Sequence, residues 1–276
     1  MTNSLLGALE MATRTDPGLV RGQNEDSVFA DAALGLAILA DGMGGYQAGE
    51  VASSMATELL SSGLARAFKA CAAHTVDPDT GQLFAERALL EQVAVVNSAI
   101  YSAAEGQSRF GGMGTTLVAA VFCDDQMVVA HIGDSRLYRL RGEEFVALTH
   151  DHSFLQEQLD CGEISAEEAR YSVNRNLVTR AVGVDPEVET EMHWHSVYPG
   201  DVYLLCSDGL YDMLDKGEIQ HLLERFGANL ELAATQLLQL ANDNGGDDNI
   251  SVVVIKVLRE FPAAPGRWAK LWSWFK

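Results

Sequence analysis

Residues 34–45 read Leu-Gly-Leu-Ala-Ile-Leu-Ala-Asp-Gly-Met-Gly-Gly, an apolar run that stops at an aspartate and a cluster of glycines. A short apolar run bounded by turn signals is typical of a buried strand. Because Asp41 follows the last apolar residue, its carboxylate would lie where the strand leaves the core. The stretch therefore predicts a buried strand with an acidic group at its end.

Six further apolar segments have the length of strands. They are Thr115–Phe122, Met127–Ile132, Leu137–Leu140, Phe145–Leu148, Val202–Cys206 and Ile250–Leu258. The short polar connections at 123–126 and around 141–143 predict that the first four segments form two hairpins.

Helices are predicted in blocks between the strands. Apolar residues recur at helical spacing from Glu50 to about Ala73, over Leu89–Ile100 and over Leu230–Ala241, which gives each segment one apolar face. Strands segregated from helices favour an α+β fold over a doubly wound parallel sheet. Between Thr149 and Tyr198 the pattern is polar, short-helical and irregular, and we interpret about 150–198 as a flap-like insertion over one end of the sheets.

The predicted domain covers residues 1–260, and 261–276 is predicted to be a linker and a short amphipathic tail. Aromatic and leucine side chains would share one helical face of the tail, and these are Trp268, Leu271, Trp272 and Phe275. Three interpretations stay open: packing on the tail's own domain, docking on a partner, and membrane contact through 267–276. The shortness of the tail and the acidity of the rest of the chain count against the membrane.

The chain has 276 residues, with 19 basic and 39 acidic side chains and a formal net charge of −20. A nucleic-acid partner normally requires a basic surface, so this composition argues against one. The carboxylate excess fits a solvated surface, and it also fits carboxylates that converge on divalent cations. The four cysteines lie singly, and neither a signal peptide nor a membrane span is visible, so we expect a cytoplasmic monomer.

Three more aspartates share the position of Asp41 at the end of an apolar strand. Asp134 and Asp208 each follow such a strand, Asp248 precedes one, and all have glycine nearby. Each Asp-Gly neighbourhood taken alone is ordinary turn chemistry. Taken together, they predict crowded carboxylates, which repel one another unless cations compensate, and oxygen ligands select hard ions such as Mg²⁺ and Mn²⁺.

Seven segments carry a wider resemblance, and they are Gly18–Asp26, Ala40–Gly45, Gly112–Thr116, His131–Arg136, Thr149–Ser153, Leu205–Leu210 and Asp247–Val252. In this order they resemble the bacterial branch of the metal-dependent, type 2C protein phosphatases (the PPM family), from about Thr13 to Val257. The resemblance implies an αββα sandwich of two antiparallel sheets flanked by helices, with a metal centre at one end. It also implies hydrolysis of phosphoserine and phosphothreonine in proteins.

The same resemblance implies a ligand set for two ions, Mn²⁺ or Mg²⁺. Asp41 would bridge the ions and the Gly42 carbonyl would bind one of them. Asp208 and Asp248 would complete the protein ligands of the second ion. A hydroxide shared by two such ions would attack phosphorus directly, without a phosphoenzyme.

Five other positions would serve this centre. Glu25 and Asp26 would act mainly through metal-bound water, and Asp134 would help to hold a third, weaker ion. Asp134 has the alternatives of capping a turn or pairing with its neighbour at 136. Arg21 would bind the substrate phosphate, for which its planar donor fork is suited. Asn249 would orient water or phosphate.

Two features stay outside this assignment. Many eukaryotic members have histidine after the Asp-Gly pair, but this chain has Met43, so the general acid is open and a metal-bound water is our candidate. The pairs His150/His152 and His193/His195 would each place two imidazoles on one strand face. No third soft ligand lies nearby in the sequence, so we do not assign them to a metal, and we interpret His152 as a structural anchor of the insertion.

The leading functional hypothesis is a phosphatase that reverses a bacterial serine/threonine kinase, with that kinase and its phosphoprotein substrates as partners. The alternative is a catalytically silent phosphoprotein-binding module. Loss of the metal aspartates would favour that alternative, but Asp41, Asp208 and Asp248 are all present. A small-molecule phosphomonoesterase is the third hypothesis.

Overall fold

The computed structural model describes residues 5, 7–45, 48–106, 110–169 and 177–263. The strands of these residues are β1 Leu9–Asp16, β2 Asp26–Asp31, β3 Leu36–Met43, β4 Gly114–Thr115, β5 Leu117–Cys123, β6 Gln126–Ile132, β7 Arg136–Arg141, β8 Glu144–Ala147, β9 Glu191–Ser196, β10 Val202–Cys206 and β11 Ile250–Val257. The helices are α1 Ala48–Ala70, α2 Phe84–Gly106, α3 Phe154–Asp160, α4 Ala166–Ala169, α5 Asp208–Tyr211, α6 Lys216–Phe226 and α7 Leu230–Asp243.

The strands form two antiparallel sheets. One has the order β1-β11-β10-β7-β8, and the other has the order β2-β3-β5-β6-β9 with the short β4 paired to β3. The two predicted hairpins, β5–β6 and β7–β8, are both present. Within the described residues, no helix has the length and apolar character needed to cross a membrane.

Alternating side chains of the central strands divide between two apolar layers. In β3, Leu36 and Ile38 face α1 and α2, whereas Leu39 faces the other sheet. In β11, Val254 faces α6 and α7, whereas Val253 faces the sheet that contains β3, across the space between the two sheets. This period of two buries both faces of each central strand and produces the order helix, sheet, sheet, helix. The predicted αββα sandwich is confirmed.

Three strands were not predicted, and all three lie at sheet edges. They are β1, β2 and β9. None of the six residues of β2 is fully buried, and β9 reads Glu-Met-His-Trp-His-Ser. An edge strand of this kind carries polar residues and has no continuous apolar run, so it gives a weak pattern in the sequence. The expectation that the chain stays irregular up to residue 198 is therefore wrong for Glu191–Ser196.

The end of the described chain is tied to the β5–β6 turn. Asp124 and Asp125, both in left-handed backbone conformation, accept hydrogen bonds from the main-chain nitrogens of Ala263 at 2.6 Å and Phe261 at 2.5 Å. The Phe261 side chain is 6% exposed and packs in the core between the sheets. The packed domain therefore continues past the predicted boundary at residue 260. The predicted amphipathic tail, 267–276, lies outside the described residues.

Candidate metal centre

Strand register brings the first two acidic residues of the site together. Asp26 at the start of β2 is the direct partner of Asp41 near the end of β3. One oxygen of Asp26, Oδ2, accepts a hydrogen bond from Ser207 Oγ at 2.8 Å. The other oxygen is buried and has no hydrogen-bond partner among the described residues. A buried carboxylate oxygen without a donor suits a position beside a cation.

A cleft of about 350 Å³ opens at this end of the two sheets. Eight of the nine residues predicted to form the site line it, namely Arg21, Glu25, Asp41, Gly42, Asp134, Asp208, Asp248 and Asn249. The ninth, Asp26, stands beside Asp41. The strand-end positions predicted from the sequence therefore converge on one cleft.

Close backbone packing beside the cleft depends on Gly42. A Cβ atom at this position would lie 2.1 Å from the carbonyl oxygen of Gly49, at the start of α1. The Gly42 nitrogen donates to the carbonyl oxygen of Glu25 at 3.1 Å. Glycine thus allows helix α1 and strand β3 to meet directly beside Asp41.

Burial and mutual repulsion make the aspartates of the cleft difficult to ionise. Burial, and then the neighbouring charge of Asp26, raises the pKa of Asp41 well above its ordinary value. Burial, followed by repulsion from Asp134, does the same to the pKa of Asp208. Burial raises the pKa of Asp26 to about 7 and that of Asp134 to about 6. A cluster of carboxylates that is costly to ionise without a compensating charge fits divalent cations of the Mg²⁺ or Mn²⁺ type.

Arg21 lies at the exposed rim of the cleft. Its Nη2 donates to Asp248 Oδ2 at 2.6 Å, and about half of the Arg21 side chain (54%) is exposed. From the sequence, Arg21 is expected to bind phosphate alone. The structure also places its guanidinium on a predicted metal ligand, within reach of any group that enters the cleft.

Asn249 has a different role from the predicted one. Its Oδ1 accepts from the Glu25 main-chain nitrogen at 2.7 Å, and its Nδ2 donates to the carbonyl oxygens of Pro17 and Gln23, both at 2.9 Å. Both amide hydrogens are therefore used to hold the loop before β2, and neither remains for a phosphate oxygen. The assignment of Asn249 to phosphate binding is corrected: the residue fixes the loop that carries Arg21 and Glu25.

Asp134 is 4% exposed, and its carbonyl oxygen accepts from the Tyr211 hydroxyl at 3.1 Å. The alternative that Asp134 pairs with Arg136 is not what the structure shows. Arg136 instead pairs with Asp151 through Nη2 at 2.6 Å, and its guanidinium lies 3.5 Å from the centre of the Tyr211 ring. The Asp134 side chain lines the cleft with the other acidic residues.

Two hydroxyl residues of the site were missed in the sequence. Thr116 Oγ1 accepts from the Asp41 nitrogen at 3.0 Å and lies 2.7 Å from Ser135 Oγ. Ser207 Oγ, besides binding Asp26, accepts from the Ser251 nitrogen at 3.0 Å. Both residues fall within the resembling segments Gly112–Thr116 and Leu205–Leu210, so the signal that could have found them was their place in those segments.

Residues 21–242 match the family model described as Protein phosphatase 2C. Serine/threonine phosphatase stp of Listeria innocua is 38% identical to this chain over 246 residues, which cover 88% of this chain and 94% of that protein. Serine/threonine protein phosphatase PstP of Mycobacterium tuberculosis is 41% identical over 251 residues, which cover 91% of this chain and 45% of that protein.

Solved structures show the same likeness. The crystal structure of the Mycobacterium tuberculosis serine/threonine phosphatase PstP/Ppp superposes with a TM-score of 0.80 at 39% identity, and the match covers 91% of this chain and 99% of that one. The PstP catalytic domain in complex with two manganese ions superposes with a TM-score of 0.76 at 39% identity, covering 91% and 98% of the two chains. The resemblance carried by the seven segments is confirmed. The chain belongs to the protein phosphatase 2C family and is a serine/threonine protein phosphatase.

Proposed function

We propose that this enzyme removes phosphate from phosphoserine and phosphothreonine in proteins with two divalent ions, Mn²⁺ or Mg²⁺, and so reverses a bacterial serine/threonine kinase. The observation that carries the proposal is the convergence of Asp41, Asp134, Asp208 and Asp248 on one cleft with Arg21 at its rim. The PstP catalytic domain, whose structure contains two manganese ions, supports the choice of metal.

The ligands proposed for the two ions are Asp41, the Gly42 carbonyl, Asp208 and Asp248. When bound, the ions would activate water for attack on phosphorus at neutral pH and would stabilise negative charge on the phosphoryl oxygens. Glu25 and Asp26 stand beside them and would act mainly through water. Ser207 and Thr116 would keep the acidic strand ends in place. Ser207 donates a hydrogen bond to the Asp26 carboxylate, and Thr116 accepts one from the Asp41 main-chain nitrogen.

Arg21 would position the substrate phosphate. Its guanidinium has five N–H donors, and the hydrogen bond to Asp248 Oδ2 is made by Nη2, which leaves the other nitrogens for a second partner. An arriving phosphate offers a second anionic partner to this fork, and the half-exposed side chain has room to turn towards it. Arg21 would thereby position the phosphorus atom next to the aspartates that line the cleft.

The leaving oxygen of serine or threonine needs a proton. Met43 lines the cleft and has no proton to donate, and no histidine lines it among the described residues. We therefore propose that water in the cleft protonates the leaving group. Asp134 would hold a third ion and so help to place that water.

The competing functions have less support. A silent phosphoprotein-binding module would not need the four aspartates that line the cleft, Asp41, Asp134, Asp208 and Asp248. A small-molecule phosphomonoesterase would show comparable or higher kcat/KM on free phosphometabolites than on phosphopeptides. We also propose that the protein is a cytoplasmic monomer that has a bacterial serine/threonine kinase as its partner. The four free cysteines agree with a reducing compartment.

The deciding experiment measures phosphate release from a phosphothreonine peptide by the purified protein with Mn²⁺, with Mg²⁺ and after chelation. Turnover should require the metal, and Asp41→Ala and Asp208→Ala should abolish it while circular dichroism shows an intact fold. A panel of phosphometabolites under the same conditions separates the protein phosphatase from the small-molecule enzyme. Full turnover in a sample whose metal content is near zero would refute the mechanism.

A further inference from the structure

One histidine of each predicted pair, His152 and His193, belongs to a cluster of side chains next to the turn that carries Asp134. Glu191 on β9 is the register partner of His131 on β6. The carboxylate of Glu191 contacts His152 Nε2 at 2.8 Å and His193 Nε2 at 2.6 Å. The His131 and His152 rings pack with their centroids 4.6 Å apart. We call these four residues the histidine cluster.

The histidine cluster raises the question of a second metal site. Ligand atoms of His131, His152 and Glu191 lie within 4.8 Å of one another, and neither ring nitrogen of the fully buried His131 has a hydrogen-bond partner among the described residues. The hydrogen bonds of His152 argue against a metal. The Gly133 nitrogen donates to His152 Nδ1 at 3.1 Å, so the neutral ring carries its proton on Nε2. Nε2 lies 2.8 Å from the acceptor Glu191 Oε2, and more distantly, at 3.2 Å, from Arg180 Nη1, which can only donate, so Glu191 is the partner of the Nε2 proton. A metal on Nε2 would require that proton to leave.

His152 instead holds a single glycine by both of its main-chain polar groups. Gly133 donates its N–H to the ring, and its carbonyl oxygen accepts from the His152 main-chain nitrogen at 2.8 Å. Gly133 has φ +100°, and a Cβ there would lie 2.8 Å from the Cβ of Thr116. The turn thus needs glycine, and glycine by itself restrains the backbone poorly.

Asp134 follows Gly133 directly and is also held on its other side. Ser135 Oγ lies 2.7 Å from Thr116 Oγ1, the same atom that accepts from the Asp41 nitrogen. The two neighbours of Asp134 are thus bound to His152 and to Thr116. Such restraint has a function here, because the Asp134 carboxylate lies among like charges that would otherwise drive it out of the cleft.

We propose that His152 is a positioning residue of the phosphatase cleft, which holds Asp134 towards the metal centre through Gly133 while Glu191 fixes the ring tautomer. The inference rests on the proposed two-metal function. Burial lowers the pKa of His152, in agreement with a neutral ring. The His131 ring packs against the His152 ring at a tilt of 30° and limits its rotation. His152, which is expected from the sequence to anchor the insertion, would thus also anchor the cleft.

The experiment compares two substitutions of nearly equal shape, His152→Asn and His152→Leu. The asparagine oxygen can take the place of Nδ1 and accept from Gly133, whereas leucine has no acceptor. Mn²⁺ titration calorimetry and kcat on a phosphothreonine peptide are the readouts. Loss of a residue that orients a metal ligand typically lowers metal affinity or activity by roughly 10- to 100-fold. H152L should therefore weaken binding of the loosest-bound Mn²⁺ and lower kcat by that factor. H152N should keep both values within about threefold of those of the parent enzyme. Parent-like values for H152L, or equal losses in both variants, would overturn the proposal.

A second pair keeps the test decisive if H152L does not fold. Glu191 lies on an edge strand with its side chain 30% exposed, so its replacement disturbs no core. Glu191→Gln retains an acceptor for His152 Nε2–H, whereas Glu191→Met fills similar space without one. E191M should lose Mn²⁺ affinity and kcat while E191Q retains both, and equal behaviour of the two would reject the role of Glu191. A parent enzyme that neither binds Mn²⁺ nor releases phosphate would instead refute the proposed function.

Discussion

Asp26 and Asp41 are direct partners on the antiparallel strands β2 and β3, so two carboxylates stand side by side where both strands reach the cleft. Burial raises the pKa of each, to about 7 for Asp26. In the absence of metal, protons compensate this pair. Divalent ions would replace those protons, so metal binding and protonation are linked at this pair.

The metal-free protein should lose stability as the pH rises. The folded-state pKa values of Asp26 and Asp134, about 7 and about 6, lie above the ordinary aspartate value of about 3.9. Between about pH 4 and 7 the folded state then holds more protons than the unfolded state, so the free energy of unfolding falls across this window. Chelated protein should therefore show a falling Tm from pH 5 to pH 7.

Two controls sharpen this measurement. Saturating Mn²⁺ should raise Tm and flatten its decline, because an ion that binds only the folded state stabilises it. Asp26→Asn removes one carboxylate while keeping an acceptor for Ser207, so its chelated form should show a shallower decline. A Tm of the chelated parent protein that is constant or rising over this range would contradict the expectation.

Replacing Arg21 should separate substrate binding from metal binding. Arg21→Ala should raise KM for a phosphothreonine peptide by roughly 10- to 100-fold, as expected for a lost hydrogen bond between charged groups of about 1.5–3 kcal/mol. Arg21→Lys keeps the charge but lacks the planar fork, so it should recover only part of the loss. Mn²⁺ affinity should change little, because Asp248 keeps its carboxylate. Unchanged KM in R21A would show that Arg21 does not bind phosphate.

The sequence revealed this fold where burial is strongest. Central strands such as β5, buried along its whole length, leave continuous apolar runs, whereas the edge strands β1, β2 and β9 do not. The same limit applies to the site. Aspartates at strand ends were recognisable, but Asn249 was assigned wrongly because its amide partners lie more than 200 residues away in sequence. The two hydrogen bonds between His152 and Gly133 likewise form only when the chain folds.

Truncation should place the end of the domain between Phe261 and the tail. Deletion of residues 264–276 should leave peptide turnover and Tm nearly unchanged, since Phe261 and its contact with Asp125 remain. Phe261→Ala in the full chain should destabilise the protein by about 3–5 kcal/mol, the usual loss for a buried phenylalanine. Thermal unfolding of both variants is the measurement. A large loss on removing 264–276 would show that the tail belongs to the catalytic domain.

Asp134 should affect protonation of the leaving group more than binding of the two main ions. Asp134→Ala should leave two Mn²⁺ ions tightly bound in calorimetry and still lower kcat markedly on a phosphothreonine peptide. The loss should be smaller on an aryl phosphate, because a phenolate leaving group needs little protonation. Met43 offers no proton, so the dependence on water near Asp134 should be strong. Asp134→Asn, which keeps the shape and removes the charge, is the matched control and should behave like the alanine variant. Equal losses on both substrates would argue against protonation, and unchanged kcat on both would leave Asp134 as a turn residue.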